Sequence, residues 1–253
     1  MTLEYKSHKR NLGHSGFTKI SNFFEDGDLN NIQQMLDTLF LQEQNTNTSR
    51  HSPKIAKFIS QNIYEINHAV KVLPSLKKTA VFNKCQKLAT ELLGKHARVS
   101  FDHAIYKKPL SGAVNWHQDQ AYKHSVKKMQ SIHFWIPLQD TPRELGCMKY
   151  IQGKKNHVLL AHQKATNGHT LSVHLDEERN KKDIVICECL KGDLQIHLPQ
   201  TLHGSLPNVS NSVRKAWIIH FSPYGYYEPL LPNNIFYNVF TRIKNSIKSL
   251  TSV

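Results

Sequence analysis

The segment Ser131-Ile132-His133-Phe134-Trp135-Ile136-Pro137-Leu138 carries the clearest fold signal in the chain. Its aliphatic and Phe side chains fall at every second position, and successive side chains of a β-strand point to opposite faces of a sheet. We therefore predict a strand with one buried face. Comparable patterns predict further strands after Lys95, so that the full set is 99–106, 130–138, 147–152, 183–190, 194–198 and 213–221.

The first part of the chain predicts helices. Between Leu29 and Phe40, apolar side chains recur every three or four residues, which is the spacing of one helix face. Ser52-Pro53 predicts the start of a second helix near Ile55, because proline is tolerated in the first helical turn. A third helix is expected over residues 75–93, with Gly94 as the residue that ends it.

Turn and tail signals complete this outline. Residues 191–193, Lys-Gly-Asp, lie between two predicted strands and predict a β-hairpin. Residues 234–250 have the apolar spacing of an amphipathic helix that packs back onto the core. Because we find neither an internal repeat nor a linker, one domain is expected over residues 1–253. Its helical part would span about 25–95 and its β-rich core about 96–222.

Composition narrows the class of protein. The 253 residues include 39% hydrophobic side chains, enough for a packed core. No apolar run approaches the roughly 18 residues of a membrane span, the first residues lack an apolar signal segment, and the four cysteines form no secreted disulfide framework. We therefore expect a cytoplasmic protein with reduced thiols. The net charge of +14 favours anionic ligands, but the lysines occur in scattered pairs and do not by themselves indicate a nucleic-acid binder.

Four residues suggest the chemistry: His117, Asp119, His203 and Arg214. A His-x-Asp pair with a distant second histidine is the ligand set of a 2-His-1-carboxylate facial triad, which leaves positions open on a non-haem Fe(II). In an extended segment, residues i and i+2 point to the same side, so His117 and Asp119 could reach one ion. The chain has 16 histidines, however, and four others in predicted strands are competing ligands: His103, His133, His197 and His220.

The context of these residues resembles the phytanoyl-CoA dioxygenase family of Fe(II)/2-oxoglutarate oxygenases. The resemblance runs in the family's order over residues 16–222 and departs from it at Gln152 and Lys155-Asn156, where Pro and Ser-His are common. The segments that carry it are 16–24, 115–122, 135–141, 144–154, 191–193, 203–205, Asn208 and 214–216.

The resemblance implies a mainly β fold with N-terminal helices, in which the helices buttress a double-stranded β-helix, or jelly-roll, core. It also implies iron ligands at His117, Asp119 and His203, and binding of 2-oxoglutarate by Arg214 with help from Ser205. A further contact to 2-oxoglutarate is expected from the strand before the first motif. His103, Tyr106 and Lys107 are the candidates there, and Tyr106 is the one we prefer.

The activity that the resemblance implies is hydroxylation of an aliphatic C–H by O2, with release of succinate and CO2 and with ascorbate as a supporting reductant. The carboxylate of Asp119 favours hydroxylation, since halogenating relatives have a small residue there. We expect a small-molecule or acyl-type substrate, anionic or CoA-linked, between residues 118–128 and 157–182. The candidate lining residues are Trp116, Gln118, Tyr122, His133 and Trp135.

Three other functions stay open at this point. A nucleic-acid-directed oxidative demethylase would fit the positive charge, although a basic stretch studded with aromatic residues is missing. A non-catalytic jelly-roll binding protein and a metal-dependent hydrolase would use the same ligands without succinate release. Neither a monomer nor a homodimer is indicated.

Overall fold

A computed structural model describes residues 3–46, 56–60, 62–122, 130–153, 158–164 and 171–225. The α-helices of these residues are α1 (Leu3–Ser15), α2 (Asp26–Thr46), α3 (Ala69–Val72) and α4 (Ala80–Leu93). The strands are β1 (Phe17–Ile20), β2 (Ala56–Ser60), β3 (Ile63–Asn67), β4 (Arg98–Lys107), β5 (Val114–His117), β6 (Ile132–Pro137), β7 (Met148–Ile151), β8 (Gln163–Lys164), β9 (Leu171–Ser172), β10 (Ile184–Cys187), β11 (Leu194–His197), β12 (His203–Ser205) and β13 (Arg214–Ser222).

The strands form two principal antiparallel sheets. The larger has the order β1-β11-β6-β13-β4-β3-β2, and the smaller has the order β10-β7-β12-β5. Side chains from both sheets form one buried cluster, which includes Trp135 and Ile218 of the larger sheet and Tyr150 of the smaller. The sheets therefore face each other, and the predicted jelly-roll core is confirmed.

Strand β6 shows how the sequence pattern builds this arrangement. Phe134 and Ile136 lie in the largest buried cluster, together with apolar residues of α2 and α4. His133 and Trp135 are also buried, but their side chains point to the opposite face, toward the smaller sheet. The helices thus cover the outer face of the larger sheet, as predicted, and the alternate positions of the same strand line the space between the sheets.

Two sequence-based predictions were wrong. The helix expected from Ile55 is replaced by β2 and β3, which extend the larger sheet as β3 pairs with β4. The backbone groups along that edge of β4 require partners, and pairing with a strand supplies them. The predicted hairpin at 191–193 is a connection between sheets, because β10 pairs with β7 while β11 pairs with β1 and β6.

The predicted helices and the predicted domain have different outcomes. The helix near 29–40 is confirmed as α2. The helix expected over 75–93 is confirmed from Ala80 as α4, which ends at Gly94 in a left-handed conformation, whereas Pro74–Lys78 form a separate 3-10 helix. Helix α1 lies before the predicted helical part. The tail helix at 234–250 falls outside the described residues, and the single domain stays a prediction. No helix in the described ranges combines the length and apolar composition that crossing a bilayer requires.

Candidate active site

The two strands that carry the candidate histidines lie directly side by side. His203 of β12 is opposite His117 of β5 in the antiparallel register, and their ring centroids are 4.2 Å apart. Gly204 makes this approach possible, because a Cβ at this position would stand 2.6 Å from the carbonyl oxygen of Val114. The register of two neighbouring strands therefore brings together residues that are far apart in sequence.

Hydrogen bonds to the backbone fix how both rings are presented. His117 Nδ1 donates to the carbonyl oxygen of Asn115, and His203 Nδ1 donates to that of Thr201, each at 2.8 Å. A carbonyl oxygen only accepts, so each neutral ring carries its proton on Nδ1 and keeps a lone pair on Nε2. Fixing the tautomer through the other ring nitrogen is the usual arrangement around metal-binding histidines.

Asp119 completes the set of donors. Its Oδ1 lies 3.5 Å from His117 Nε2 and 3.7 Å from His203 Nε2, and the three donor atoms lie within 4.8 Å of one another. Asp119 begins a short 3-10 turn after β5, so it does not continue the extended strand as predicted. The three side chains nevertheless converge with a geometry that could hold one metal ion.

The pKa shifts at this centre favour an ionised Asp119 and a neutral His203. Burial, together with the neighbouring His117, lowers the pKa of His203 well below its ordinary value, which favours the neutral ligand form. Burial would raise the pKa of Asp119, but the charge of His203 and the contacts with three other histidines reverse this and hold the pKa well below its usual range. Burial also opposes the charged form of His117, yet Asp119 outweighs it and raises the pKa of His117.

Two of the competing histidines also reach Asp119. His133 Nδ1 lies 2.7 Å, and His197 Nε2 lies 3.3 Å, from its other carboxylate oxygen, Oδ2. Asp119, His133 and His197 therefore form a second group whose ligand atoms lie within 4.8 Å of one another. His103 is hydrogen-bonded to Glu65, and His220 stacks on His133.

A buried cationic pocket lies farther along the larger sheet. Arg214 is only 2% exposed, donates from Nη1 to the carbonyl oxygen of Gly146 at 2.8 Å, and packs against the ring of Trp135. Its Nε has no hydrogen-bond partner among the described residues. Lys107 is fully buried next to it, and its Nζ donates to Ser205 Oγ at 3.1 Å. Burial and the charge of Arg214 lower the pKa of Lys107 to about 6.

The structure places Tyr106 away from this pocket. Its hydroxyl donates to Asp37 of α2 at 2.5 Å, and its ring stacks on Phe40 of the same helix. Lys107, the next residue on β4, points to the opposite face and reaches Ser205. The preference for Tyr106 over Lys107 as a ligand contact therefore has no support in the geometry, because the two neighbours lie on different faces of the strand.

The candidate lining residues separate into two groups. His133 and Trp135 face the space between the sheets, and the half-exposed Tyr122 lies edge-on to His117. Trp116 lies on the outer face of the smaller sheet, where its Nε1 donates to Glu177 at 2.6 Å. Gln118 is also turned away. Its amide donates to two backbone carbonyls, at residues 158 and 200, and its carbonyl accepts from the backbone N–H of residue 160.

Comparisons with known proteins identify the family of this chain. The sequence profile of the phytanoyl-CoA dioxygenase family matches residues 13–216. The "phytanoyl-CoA dioxygenase domain-containing protein 1 homolog" of Dictyostelium discoideum is 28% identical over 123 residues, which are 46% of this chain and 43% of that protein. The chain spans about half the length of the curated relatives that it matches.

Solved structures share the fold at lower identity. EvdO2 from Micromonospora carbonacea var. aurantiaca, complexed with 2-oxoglutarate, aligns with a TM-score of 0.69 and 22% identity, covering 85% of this chain and 89% of the other. SnoK, a non-heme alpha-ketoglutarate dependent carbocyclase from nogalamycin biosynthesis, aligns with a TM-score of 0.65 and 18% identity, covering 87% and 84%. Because the family profile covers most of its length, the chain belongs to the phytanoyl-CoA dioxygenase family.

Proposed function

We propose that this chain is an Fe(II)- and 2-oxoglutarate-dependent dioxygenase that hydroxylates an aliphatic C–H of a small molecule, with release of succinate and CO2. The observation that carries the proposal is the convergence of His117 Nε2, Asp119 Oδ1 and His203 Nε2. Two neutral imidazoles and one carboxylate are the donors of the facial triad, which leaves three positions of an octahedral ion for other ligands.

The buried cationic pocket fits the distal carboxylate of 2-oxoglutarate. Arg214 has an unpartnered Nε beside an already anchored Nη1, so its guanidinium can still make a two-pronged contact with a carboxylate. Lys107 on the neighbouring strand β4 and Ser205 on β12 of the facing sheet offer an amine and a hydroxyl. Arg214 is a buried cation, and burial beside it disfavours a proton on Lys107, whose pKa is about 6. A bound dicarboxylate would stabilise the charged forms of both side chains.

In this proposal, the bound iron supplies the oxidising chemistry and the protein supplies position and exclusion of water. His117 and His203 present their Nε2 lone pairs because their Nδ1 protons are held by backbone carbonyls. Arg214 would hold the distal carboxylate of the co-substrate and so limit its orientation in the site. The burial of Trp135 beside Arg214 keeps water from competing for the guanidinium.

Replacing His203 tests the proposal. His203→Ala should lose high-affinity Fe(II) binding and succinate formation while far-UV circular dichroism is retained, because it removes a ligand from a strand that pairs through its backbone. His96→Ala is the matched control, since His96 is exposed and lies outside the site. Substantial turnover of 2-oxoglutarate by His203→Ala, with the metal content unchanged, would refute the assignment.

The proposed outcome of the reaction needs its own experiment. Hydroxylation is supported by Asp119, which occupies the carboxylate position, but a structural neighbour is described as a carbocyclase. Under ¹⁸O2, hydroxylation should place one labelled oxygen in the organic product and one in succinate. Label in succinate alone, together with an oxidised and unlabelled product, would replace hydroxylation with ring closure or desaturation.

The substrate is proposed to be a small anionic or CoA-linked molecule. Support comes from the net charge of +14 and from Tyr122, whose half-exposed ring lies edge-on to His117 and could contact a substrate. A screen for succinate formation across acyl-CoAs, amino acids and phosphorylated small molecules, with Fe(II) and ascorbate, would identify the class. Equal stimulation by neutral compounds would contradict the preference for anions.

A further inference from the structure

We propose that His133 and His197 are positioning residues for Asp119, which they hold through its second oxygen, Oδ2, so that only Oδ1 is presented to the metal. The inference rests on the proposed function, because it concerns the coordination of the same ion. It assigns a role to two histidines that the sequence analysis left as competing ligands.

The two oxygens of Asp119 have separate sets of partners. Oδ1 lies between His117 Nε2 and His203 Nε2 at 3.5 and 3.7 Å, distances too long for hydrogen bonds and compatible with donors that share an ion. Oδ2 lies at hydrogen-bond distance from both other histidines, 2.7 Å from His133 Nδ1 and 3.3 Å from His197 Nε2. The separate partners suggest that Oδ1 binds the metal and that Oδ2 accepts hydrogen bonds from the protein.

The fold gives these two histidines little freedom. His133 of β6 and His197 of β11 are opposite each other in the register of the larger sheet. Their residues are 1% and 2% exposed. The His133 ring stacks on His220 at 3.5 Å between centroids, and the His197 ring is packed between Tyr150 and His203. Rigid donors of this kind pre-organise a carboxylate at a metal site.

This arrangement has a consequence for the open positions on the metal. A carboxylate that binds through one oxygen occupies one position, whereas one that binds through both occupies two. Three protein donors leave room for a two-atom contact from 2-oxoglutarate and for O2 on an octahedral ion. If Oδ2 also turned toward the metal, one of these positions would be lost. Two hydrogen bonds to Oδ2 oppose that rotation.

A second metal ion at Asp119, His133 and His197 is the competing explanation. Donors at right angles around an ion with bonds of about 2.1 Å are separated by about 3 Å. The 2.7 Å between His133 Nδ1 and Asp119 Oδ2 is shorter than this and is typical of a charge-assisted hydrogen bond. The geometry therefore favours donation of a proton over ligation.

The different ring atoms used by the two histidines allow a crossed test. The amide nitrogen of asparagine is bonded to Cγ, as Nδ1 of histidine is, so His133→Asn should keep the donor to Oδ2 and His133→Gln should misplace it. His197 donates from Nε2, one bond farther out. At this position, His197→Gln should therefore keep the donor, and His197→Asn should lose it.

The measurement is anaerobic titration of the 253-residue chain with Co(II), monitored by the d–d absorption of the bound metal, together with thermal unfolding of each variant. We expect the two matched variants to bind Co(II) within about threefold of the wild type. The two mismatched variants should bind about 10-fold to 100-fold more weakly, with an altered d–d band. A merely structural role would not produce opposite preferences for Asn and Gln at the two positions.

Two results would overturn the inference. One is the same ranking of Asn and Gln at both positions, or equal affinity for all four variants. The other is two equivalents of Co(II) in the wild type with only one in the mismatched variants, which would make His133 and His197 ligands. Failure of the proposed function gives a different signature: the crossed pattern in Co(II) affinity would persist while the wild-type protein with Fe(II) forms no succinate.

Discussion

Replacing Gly204 with alanine should distort the candidate metal centre without altering any ligand. A Cβ at residue 204 would stand 2.6 Å from the carbonyl oxygen of Val114, a backbone atom of β5. Restoring an ordinary contact requires β12 and β5 to separate by about 0.8 Å, and these strands carry His203 and His117. A misplacement of about 1 Å can cost roughly 100-fold in rate, and overpacking costs about 1–3 kcal/mol of stability.

The assay compares Gly204→Ala with Gly112→Ala. A Cβ at Gly112 would meet no heavy atom within 4 Å, so this control changes glycine to alanine without a clash. We expect Gly204→Ala to lose about 10-fold to 100-fold in kcat/KM for 2-oxoglutarate turnover and 1–3 kcal/mol of the free energy of unfolding in urea. Unchanged Fe(II) affinity and turnover in Gly204→Ala would show that the close approach of the strands does not set the distance between His117 and His203.

Four further predictions concern the pocket and its surroundings. Because the pKa of Lys107 is about 6 without an anion, 2-oxoglutarate binding at pH 8 should take up about one proton. Calorimetry in buffers of different ionisation enthalpy measures this uptake, and Lys107→Met should abolish it. Because of the same low pKa, the unfolded chain binds more protons than the folded chain above pH 6. The free energy of unfolding without ligand should therefore rise from pH 6 to 9, and this rise should be smaller in Lys107→Met. Tyr106→Phe should lose about 1 kcal/mol of the free energy of unfolding, because the hydrogen bond to Asp37 is lost, and should leave the KM for 2-oxoglutarate unchanged. A raised KM would indicate that Tyr106 contacts 2-oxoglutarate. Arg214→Lys should raise that KM at least about 10-fold with Fe(II) affinity preserved, and an equal loss of both would contradict the separate pocket.

The candidate ligands could be found from the sequence because their chemistry restricts residue type strongly. A resemblance in the family's order was enough to select His117 and His203 from 16 histidines and to add Asp119 as the carboxylate. The geometry behind that choice was less accurate. We expected His117 and Asp119 to share one face of a strand, but Asp119 begins a turn after β5.

The choice between Tyr106 and Lys107 shows why the far end of the pocket was harder to predict. Adjacent residues of a strand point to opposite faces, so an error of one residue exchanges the core face and the pocket face. The register of β4 is set by β13 and β3, which are distant in sequence. A fully buried lysine is also rare, and burial statistics alone favour the tyrosine. The proposed carboxylate contact needs a buried basic side chain, which those statistics disfavour.

Strand pairing limited the prediction of topology in the same way. A glycine-containing turn between two strands indicates that the chain reverses or bends, but it does not specify the partner of either strand. At Gly192 the chain passes from the smaller sheet to the larger, and the Gly192 carbonyl accepts hydrogen bonds from the backbone N–H groups of Phe23 and Phe24. These contacts with the segment after β1 are long-range, and no local pattern encodes them.

Strand β6 combines the predictable and unpredictable parts of this protein in one segment. Phe134 and Ile136 pack beneath the helices, and this apolar alternation made the strand recognisable. The intervening His133 and Trp135 lie on the other face, one against Asp119 and the other against Arg214. The alternation of the apolar residues predicts which side chains of β6 face the space between the sheets. It does not predict what those side chains contact there, because their partners lie on other strands. The contacts of His133 and His197 with Asp119 therefore become visible only in the distances between strands.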